Sequence, residues 1–285
     1  MRGDNIKMNL FNSPKQIIEG NINGAVAKAD MKISKMVAMG IMAGMFIAMG
    51  GATSSTAVHG IADVGISRTL AGCIFPIGLL MIVLIGGELF TGNCLMIMAV
   101  LDKRIKVLRM VRNLVIVFLS NLIGSLIIDI LVFYSGNLDY SAGGLGAYTI
   151  KVALTKATIN PVKGITSGIL CNFLVCMAVL MGACAVEIGG KIFAVWFPIF
   201  AFVIGGFEHI VANMFYIPTG MLAATNPDYV AKAEELYGIT ADQLQALNMG
   251  GLLQNFIPVT IGNILGGMLL IGCMLYFINI KCDKN

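Results

Sequence analysis

The sequence predicts an all-α membrane protein whose six transmembrane helices form an inverted repeat of three plus three. Three observations lead to this prediction: an apolar composition, six charge-free runs, and motifs that occur twice in the same order. Of the 285 residues, 58% are hydrophobic and 12% are charged, whereas an ordinary soluble domain is about 25% charged. Lipid is therefore the expected solvent for much of the surface. The net charge of +4 contains no dense basic run, so no nucleic-acid partner is predicted.

The charge-free runs mark the predicted membrane helices. Each is long enough to cross about 30 Å of hydrocarbon, which takes about 20 helical residues. Helices are expected because lipid cannot satisfy backbone N–H and C=O groups, and no strand-like alternation is present. The runs cover residues 36–57, 70–101, 113–136, 164–186, 192–222 and 255–280. The predicted division is an N-terminal segment over 1–35, a membrane domain over 36–280 and a tail over 281–285.

The distribution of lysine and arginine predicts the orientation. The termini and the two loops on their side carry 14 of the 19 Lys and Arg residues, and the opposite side carries five. By the positive-inside rule both termini are expected in the cytoplasm. Ser13 can cap a helix that has Pro14 at its first position. Apolar residues then recur at near-helical spacing, so an amphipathic helix is predicted there. We weigh two roles for it: an interfacial anchor, which is favoured, or a movable plug.

The cysteines predict neither a metal site nor disulfides. Six of the seven lie in apolar stretches, their number is odd, and no CxxC pair occurs. Small apolar packing residues are the favoured interpretation. With only two histidines and no carboxylate cluster, no cofactor, no metal and no catalytic residue are predicted. The expected protein is therefore not an enzyme.

Four motifs are found twice in the same order. They are Gly40–Gly44 with Gly164–Gly168, Phe75-Pro76-Ile77 with Phe197-Pro198-Ile199, Glu88 and Asn93 with Glu208 and Asn213, and Asn121–Ser125 with Asn263–Gly267. Three spans per half is an odd number, so the halves, about 36–136 and 160–280, must enter the membrane in opposite directions. Inverted repeats of this kind place their site near the midplane, where the halves meet.

The second and fifth helices are predicted to be broken. Each contains a proline, then a Gly-Gly pair at 86–87 or 205–206, then a glutamate. Glycine permits an unwound backbone, and proline frees a carbonyl from its helical hydrogen bond.

Four stretches of the chain resemble the signatures of the formate/nitrite transporter family. They lie at residues 85–93, 168–178, 206–215 and 257–263. The resemblance implies an aquaporin-like six-helix protomer, a homopentamer and one pore per protomer for a small inorganic or organic anion. The family moves formate, nitrite or hydrosulfide, and the resemblance does not choose among them. It further implies a bacterial inner membrane, with the lipid bilayer as the other partner.

His209 is the residue in the membrane spans for which a functional role is favoured over packing. It lies deep in an apolar run beside Glu208, and histidine can stay neutral in lipid yet exchange protons near neutral pH. The resemblance places Thr91 and Asn263 next to it. The resemblance also assigns Lys156 to an anion-attracting vestibule; from the residues alone, Lys151 and Lys163 are equally good candidates. Lys156, His209, Thr91 and Asn263 form the predicted substrate pathway.

The resemblance assigns two further groups of residues. The predicted constriction comprises Phe75, Leu79, Leu89, Phe90 and Phe202; for each residue taken alone, ordinary core packing is the simpler interpretation. The predicted structural polar residues are Glu88, Glu208, Asn93, Asn172 and Asn213. The two glutamates are expected to hydrogen-bond loop backbone, since a carboxylate lining an anion route would repel its cargo.

The predicted function is pH-dependent passage of a small monovalent anion of a weak acid. Lys156 attracts the anion, and either its field or a proton relayed through His209 lets the neutral acid cross the apolar constriction. The alternatives are a proton-coupled symporter, and a membrane enzyme or structural membrane protein.

Overall fold

The computed structural model describes residues 11–282, and all regular elements within that range are helices. The predicted parts at residues 1–10 and 283–285 lie outside the described residues. The helices are α1 Pro14–Ala29, α2 Ile33–Val58, α3 Val64–Ile85, α4 Phe90–Leu101, α5 Val107–Tyr134, α6 Gly144–Ala157, α7 Pro161–Cys184, α8 Ile188–Gly205, α9 Ile210–Ala223, α10 Pro227–Tyr237, α11 Ala241–Leu244 and α12 Met249–Lys281.

Six of the described helices are long and apolar enough to cross a membrane: α2, α3, α5, α7, α8 and α12. The prediction of an all-α protein with six membrane helices is therefore confirmed. The second begins at Val64 and not at residue 70, because the Asp63 side chain accepts a hydrogen bond from the Ile66 N–H at 2.8 Å and caps the helix. The prediction from charge-free runs missed the start of this helix, because Arg68 lies within its first five residues.

Helices α3 and α8 each end where a Gly-Gly pair occurs, at residues 86–87 and 205–206. In both cases a non-helical stretch follows, and then a short helix. Helix α3 ends at Ile85 and α4 begins at Phe90; α8 ends at Gly205 and α9 begins at Ile210. Gly206, with φ of +66°, ends α8 in the left-handed conformation that favours glycine. That each pair of segments crosses the membrane together, as one broken helix, stays a prediction.

The two halves repeat the same order of elements. Helices α1 to α5 correspond to α6, α7, α8, α9 and α12, and the short α10 and α11 are an insertion in the second half. The first and last long helices of each half pack closely in pairs, α2 with α5 and α7 with α12. A Cβ on Gly124 would lie 2.0 Å from the Ile41 carbonyl oxygen, and one on Gly266 would lie 2.3 Å from that of Ile169. Glycine is required at both crossings.

These contacts correct one motif match made from the sequence. Ile41 and Ile169 hold equivalent positions and are 128 residues apart, whereas the matched Gly40 and Gly164 are 124 apart. The equivalent of Gly40 is therefore Gly168. The error is one helical turn, and it arises because glycines spaced four residues apart match equally well when shifted by four.

The predicted amphipathic helix is observed as α1. Ser13 caps it, and a reciprocal hydrogen bond from the Gln16 side chain completes a capping box. Its apolar face, which includes Ile18 and Ile22, is buried against α4, α7 and the end of α12. This face packs on the protein itself, so it is unavailable to lipid in this structure.

Candidate functional site

A cavity of about 430 Å³ opens on the face of the protein opposite α1, and we call it the outer cavity. Its walls come from both halves, since residues of α2, α3, α6, α8 and α9 line it. Three cationic side chains, Arg68, Lys151 and Lys156, line it together with one carboxylate, Glu208. The cavity therefore has a net positive lining and is suited to hold an anion.

The floor of the outer cavity is aromatic. The rings of Phe75 and Phe202 meet edge to face, with centroids 5.5 Å apart. His209 lies beside them, with its ring centroid 5.9 Å from that of Phe202. All three side chains are at least 95% buried. A charged solute that leaves the cavity in this direction meets a nearly apolar surface with one imidazole.

His209 joins the second half to the first through a hydrogen bond to Thr91. The His209 Nε2 lies 2.9 Å from the Thr91 hydroxyl oxygen. On the other side of the ring, Nδ1 accepts a hydrogen bond from the Ala212 N–H at 3.1 Å. A nitrogen that accepts carries no proton, so the neutral ring has its proton on Nε2 and donates it to Thr91. Protonation of Nδ1 would break the bond to Ala212, which is the cap of α9.

Lys156 and Glu208 form an ion pair at the edge of the cavity. The Lys156 Nζ donates to the Glu208 carboxylate at 2.8 Å, and the two side chains are 15% and 10% exposed. Asn213 and Asn255 donate to the second carboxylate oxygen at 2.7 and 3.2 Å. The glutamate thus binds side chains, where backbone groups were expected. It also neutralises the charge of the lysine predicted to attract the anion.

The first half contains the matching cluster. The Lys28 Nζ donates to the Glu88 carboxylate at 2.8 Å and to the side-chain amide oxygen of Asn93 at 2.7 Å. The Asn93 amide donates in turn to Glu88 and to Asn113, at 2.7 and 2.8 Å. Lys28 precedes Lys156 by 128 residues, the same spacing as that between the helix crossings. The sequence reasoning missed Lys28, although a repeat matched in this register would have found it.

The clusters differ at the lysine. Lys28 donates to two acceptors, whereas among the described residues Lys156 donates only to Glu208, and its Nζ lies 5.3 Å from the Tyr216 ring centroid. In the second cluster the side-chain amide oxygen of Asn213 is buried and has no hydrogen-bond partner among the described residues. An ammonium group has three N–H donors, so Lys156 retains donor capacity toward a bound solute.

Asn263 holds the non-helical stretch before α9. Its amide donates to the carbonyls of Gly168 and Glu208 at 2.8 and 2.9 Å, and its oxygen accepts from the Ile210 N–H at 2.9 Å. Asn121 makes the equivalent bonds in the first half. Both N–H donors of Asn263 are consumed, so it has none left for an anion. The place of Asn263 on the substrate pathway stays a prediction.

Asn172, one of the predicted structural polar residues, forms hydrogen bonds between helices. Its amide donates to the carbonyls of Thr91 and Asn263, at 3.2 and 2.6 Å. It therefore links α7 to α4 and α12, and it contacts the backbone of Thr91, whose hydroxyl bonds His209.

The remaining predicted constriction residues are buried but do not line the outer cavity. They are Leu79, Leu89 and Phe90. Phe90 packs edge-on against Phe118 of α5, with ring centroids 5.1 Å apart. Their place in a constriction stays a prediction.

Two polar residues outside the predicted site make local hydrogen bonds. His59 bonds the Thr56 carbonyl and the Ser141 hydroxyl at 2.7 and 2.8 Å. Asp129 accepts a hydrogen bond from the Thr219 hydroxyl at 2.7 Å, and its second carboxylate oxygen is buried without a hydrogen-bond partner among the described residues.

Six membrane-length helices in two related halves, with a positively lined cavity ending where the halves meet, define a multi-pass membrane transport protein. Comparison with known proteins gives the particular family. A sequence profile of the formate/nitrite transporter family matches residues 15–277, and the chain belongs to that family. The probable formate transporter of Methanothermobacter thermautotrophicus is 34% identical over 95% of this chain and 98% of its own length. The formate channel FocA of Haemophilus influenzae is 35% identical over 88% of each chain.

The structural comparison agrees. A solved pentameric formate channel with formate bound superposes with a TM-score of 0.76 at 29% identity, covering 87% of this chain and 98% of that one. The resemblance inferred from the sequence motifs is therefore confirmed at the level of family and fold.

Proposed function

We propose that the protein is a channel for small monovalent anions of weak acids, with formate, nitrite and hydrosulfide as the candidate solutes. The observation that carries the proposal is the outer cavity, which has a net positive lining and an aromatic floor that contains His209. The formate channels among the relatives support formate as one solute. The solved pentameric formate channel supports a homopentamer, with one cavity in each protomer.

The physical problem is the cost of moving a charge through the apolar floor. An unpaired ion in a low-dielectric medium costs many kcal/mol, and neutralisation by a proton removes most of that cost. In this proposal the anion enters the outer cavity, takes up a proton at its floor and crosses as the neutral acid. Lys156 stabilises the anion while it waits, with the N–H donors that Glu208 leaves free.

His209 assists this step as a neutral donor. Its Nε2–H donates to the Thr91 hydroxyl, which can in turn donate to the solute. Its Nδ1 is occupied by the Ala212 N–H, so a proton relay through the ring requires that bond to open. We therefore favour protonation from water in the cavity as the anion loses solvation at the apolar floor, because desolvation disfavours the charged form of an acid. His209 and Thr91 orient the solute.

His209→Gln tests this role in liposomes that contain the purified protein. We expect formate flux to fall at least tenfold and its pH dependence to change, because glutamine cannot satisfy both Ala212 and Thr91 with the geometry of the ring. The matched control is His59→Gln. It changes the other histidine, which lies at the C-terminal end of α2, and should leave flux within twofold. Unchanged flux and pH dependence in His209→Gln would refute the role.

The alternative is a proton-coupled symporter. A pH gradient drives formate accumulation in both cases, because a neutral acid that crosses a channel also carries its proton. Exchange distinguishes the two: unlabelled formate on the opposite side of the membrane accelerates the exit of labelled formate through a symporter, but not through a channel. The same liposomes allow formate, nitrite and hydrosulfide fluxes to be compared side by side, which identifies the preferred solute.

Helix α1 is proposed to close the inner mouth at low pH. Its buried apolar face, and the bonds from Lys28 to Glu88 and Asn93, hold it against the first-half cluster. Deletion of residues 1–30 should therefore abolish closure on acidification; retained closure in the truncated protein would count against the plug. We place both termini in the cytoplasm and the protein in the inner membrane, which protease accessibility of tagged termini in vesicles of known orientation would test.

A further inference from the structure

The charge that captures an anion in the outer cavity must come from a cation that has no carboxylate partner. The ion pair of Lys156 with Glu208 has no net charge. Lys151, at the mouth, forms no ion pair with a described residue, but its Nζ lies over the Tyr237 ring, 4.4 Å from the centroid, and an ammonium is a point charge without a planar fork. Arg68 is the third cation, and none of the other described residues accepts a hydrogen bond from it or forms an ion pair with it.

Arg68 also has a defined position in the cavity. Its guanidinium packs on the backbone of Gly206: a Cβ at that glycine would lie 2.7 Å from Nη1. Gly206 is two residues before Glu208 and three before His209, so the guanidinium sits beside the non-helical stretch that forms the floor. Its side chain is otherwise exposed to the cavity. Arg68 therefore combines an open hydrogen-bonding edge with a fixed backbone support.

We propose that Arg68 selects anions that have two oxygen atoms. This inference rests on the proposed function. A guanidinium is a planar fork that donates two parallel N–H bonds, and it binds a carboxylate bidentately. Formate presents two oxygens on one carbon, and nitrite presents two on one nitrogen, so both fit the fork. Hydrosulfide has one acceptor atom and cannot form two parallel bonds to the fork, so it gains the charge of Arg68 but not its geometry.

Arg68→Lys separates geometry from charge. The full chain is reconstituted in liposomes, and flux is measured against concentration for formate, nitrite and hydrosulfide. We expect the half-saturation concentration to rise about tenfold for formate and nitrite, while hydrosulfide stays within twofold. Arg68→Gln, which removes the charge as well, should weaken all three. Lys163→Gln, an exposed cation outside the cavity, should change none.

Equal effects of Arg68→Lys on formate and hydrosulfide would overturn the inference, as would no effect on either. A second readout does not need transport. Phenylglyoxal modifies arginines, and peptide mass spectrometry follows the rate at Arg68 in the detergent-solubilised protein. Formate should slow that reaction at least threefold relative to chloride at equal ionic strength and leave the rate at Arg109 unchanged; equal rates in both salts would count against formate binding at Arg68.

The two assays separate this inference from the proposed function. If the wild-type protein conducts none of the three anions but formate still protects Arg68, the proposed function fails and the binding inference stands. If the protein conducts formate, but Arg68 is neither protected nor needed for the preference, this inference fails alone. Elution of each variant as a single species in size-exclusion chromatography shows that it is folded.

Discussion

Replacement of Glu208 by glutamine is expected to destabilise the protein strongly. The carboxylate accepts three hydrogen bonds, from Lys156, Asn213 and Asn255, at 2.8, 2.7 and 3.2 Å. Glutamine keeps the size but turns one oxygen into an NH₂ group, which then faces donors and leaves the buried ammonium without its counter-charge. Removal of one partner of a buried ion pair costs about 3–5 kcal/mol.

Thermal unfolding of the detergent-solubilised protein measures this loss. For domains of roughly 150–250 residues, 1 kcal/mol corresponds to about 2–4 °C, so a fall in the midpoint of about 6 °C or more is expected. The double variant Glu208→Gln with Lys156→Met should recover part of the loss, because it removes the stranded charge along with its partner.

The first-half cluster supplies the matched control. Glu88 is more buried than Glu208, but its partner Lys28 has a side chain that is 31% exposed, about twice the 15% exposure of Lys156. Water can therefore screen Lys28 when its partner is lost, so Glu88→Gln should shift the midpoint less. If Glu88→Gln costs as much as Glu208→Gln, burial is not what sets the strength of these clusters, and the reasoning is wrong.

Two glycine substitutions make further predictions, each with its own control. Gly206→Ala and Gly238→Ala both place alanine at a positive φ, +66° and +64°, and should cost similar stability, about 1–2 kcal/mol. Only Gly206→Ala displaces the Arg68 guanidinium, so it alone should raise the half-saturation concentration for formate; a rise in both would refute the link. Gly124→Ala places a Cβ against backbone and should prevent normal packing of α5, whereas Gly24→Ala in open space should stabilise by about 0.5–1 kcal/mol. Thermal unfolding compares the last two, and equal midpoints would contradict the close crossing.

The membrane helices could be predicted because their signal lies in composition. An apolar run of about 20 residues has few alternatives once lipid is the solvent. The same criterion failed at the start of α3, because it excluded charged residues and therefore began the helix only after Arg68. A helix that borders a water-filled cavity can contain an arginine at no great cost, since the guanidinium remains solvated.

The polar clusters were only half predicted, for a different physical reason. Residues within one motif, such as Glu88 and Asn93, are close in sequence and were found together. Lys28 lies 60 residues before its partner, and only the symmetry of the fold connects the two. The repeat was visible in the sequence, but its register was ambiguous by one helical turn, and that turn decides which lysine of the N-terminal segment corresponds to Lys156.

The pairing of Lys156 with Glu208 has a consequence for transport. A channel must bind its solute well enough to admit it and weakly enough to release it. A free ammonium beside the apolar floor would hold an anion strongly, because charges interact more strongly where the dielectric constant is low. The Glu208 carboxylate reduces that attraction without removing the N–H donors of Lys156. In the proposed channel, capture depends on Arg68, which is solvated and releases an anion easily. Attraction for the anion would then weaken toward the floor, where the solute has to lose its charge.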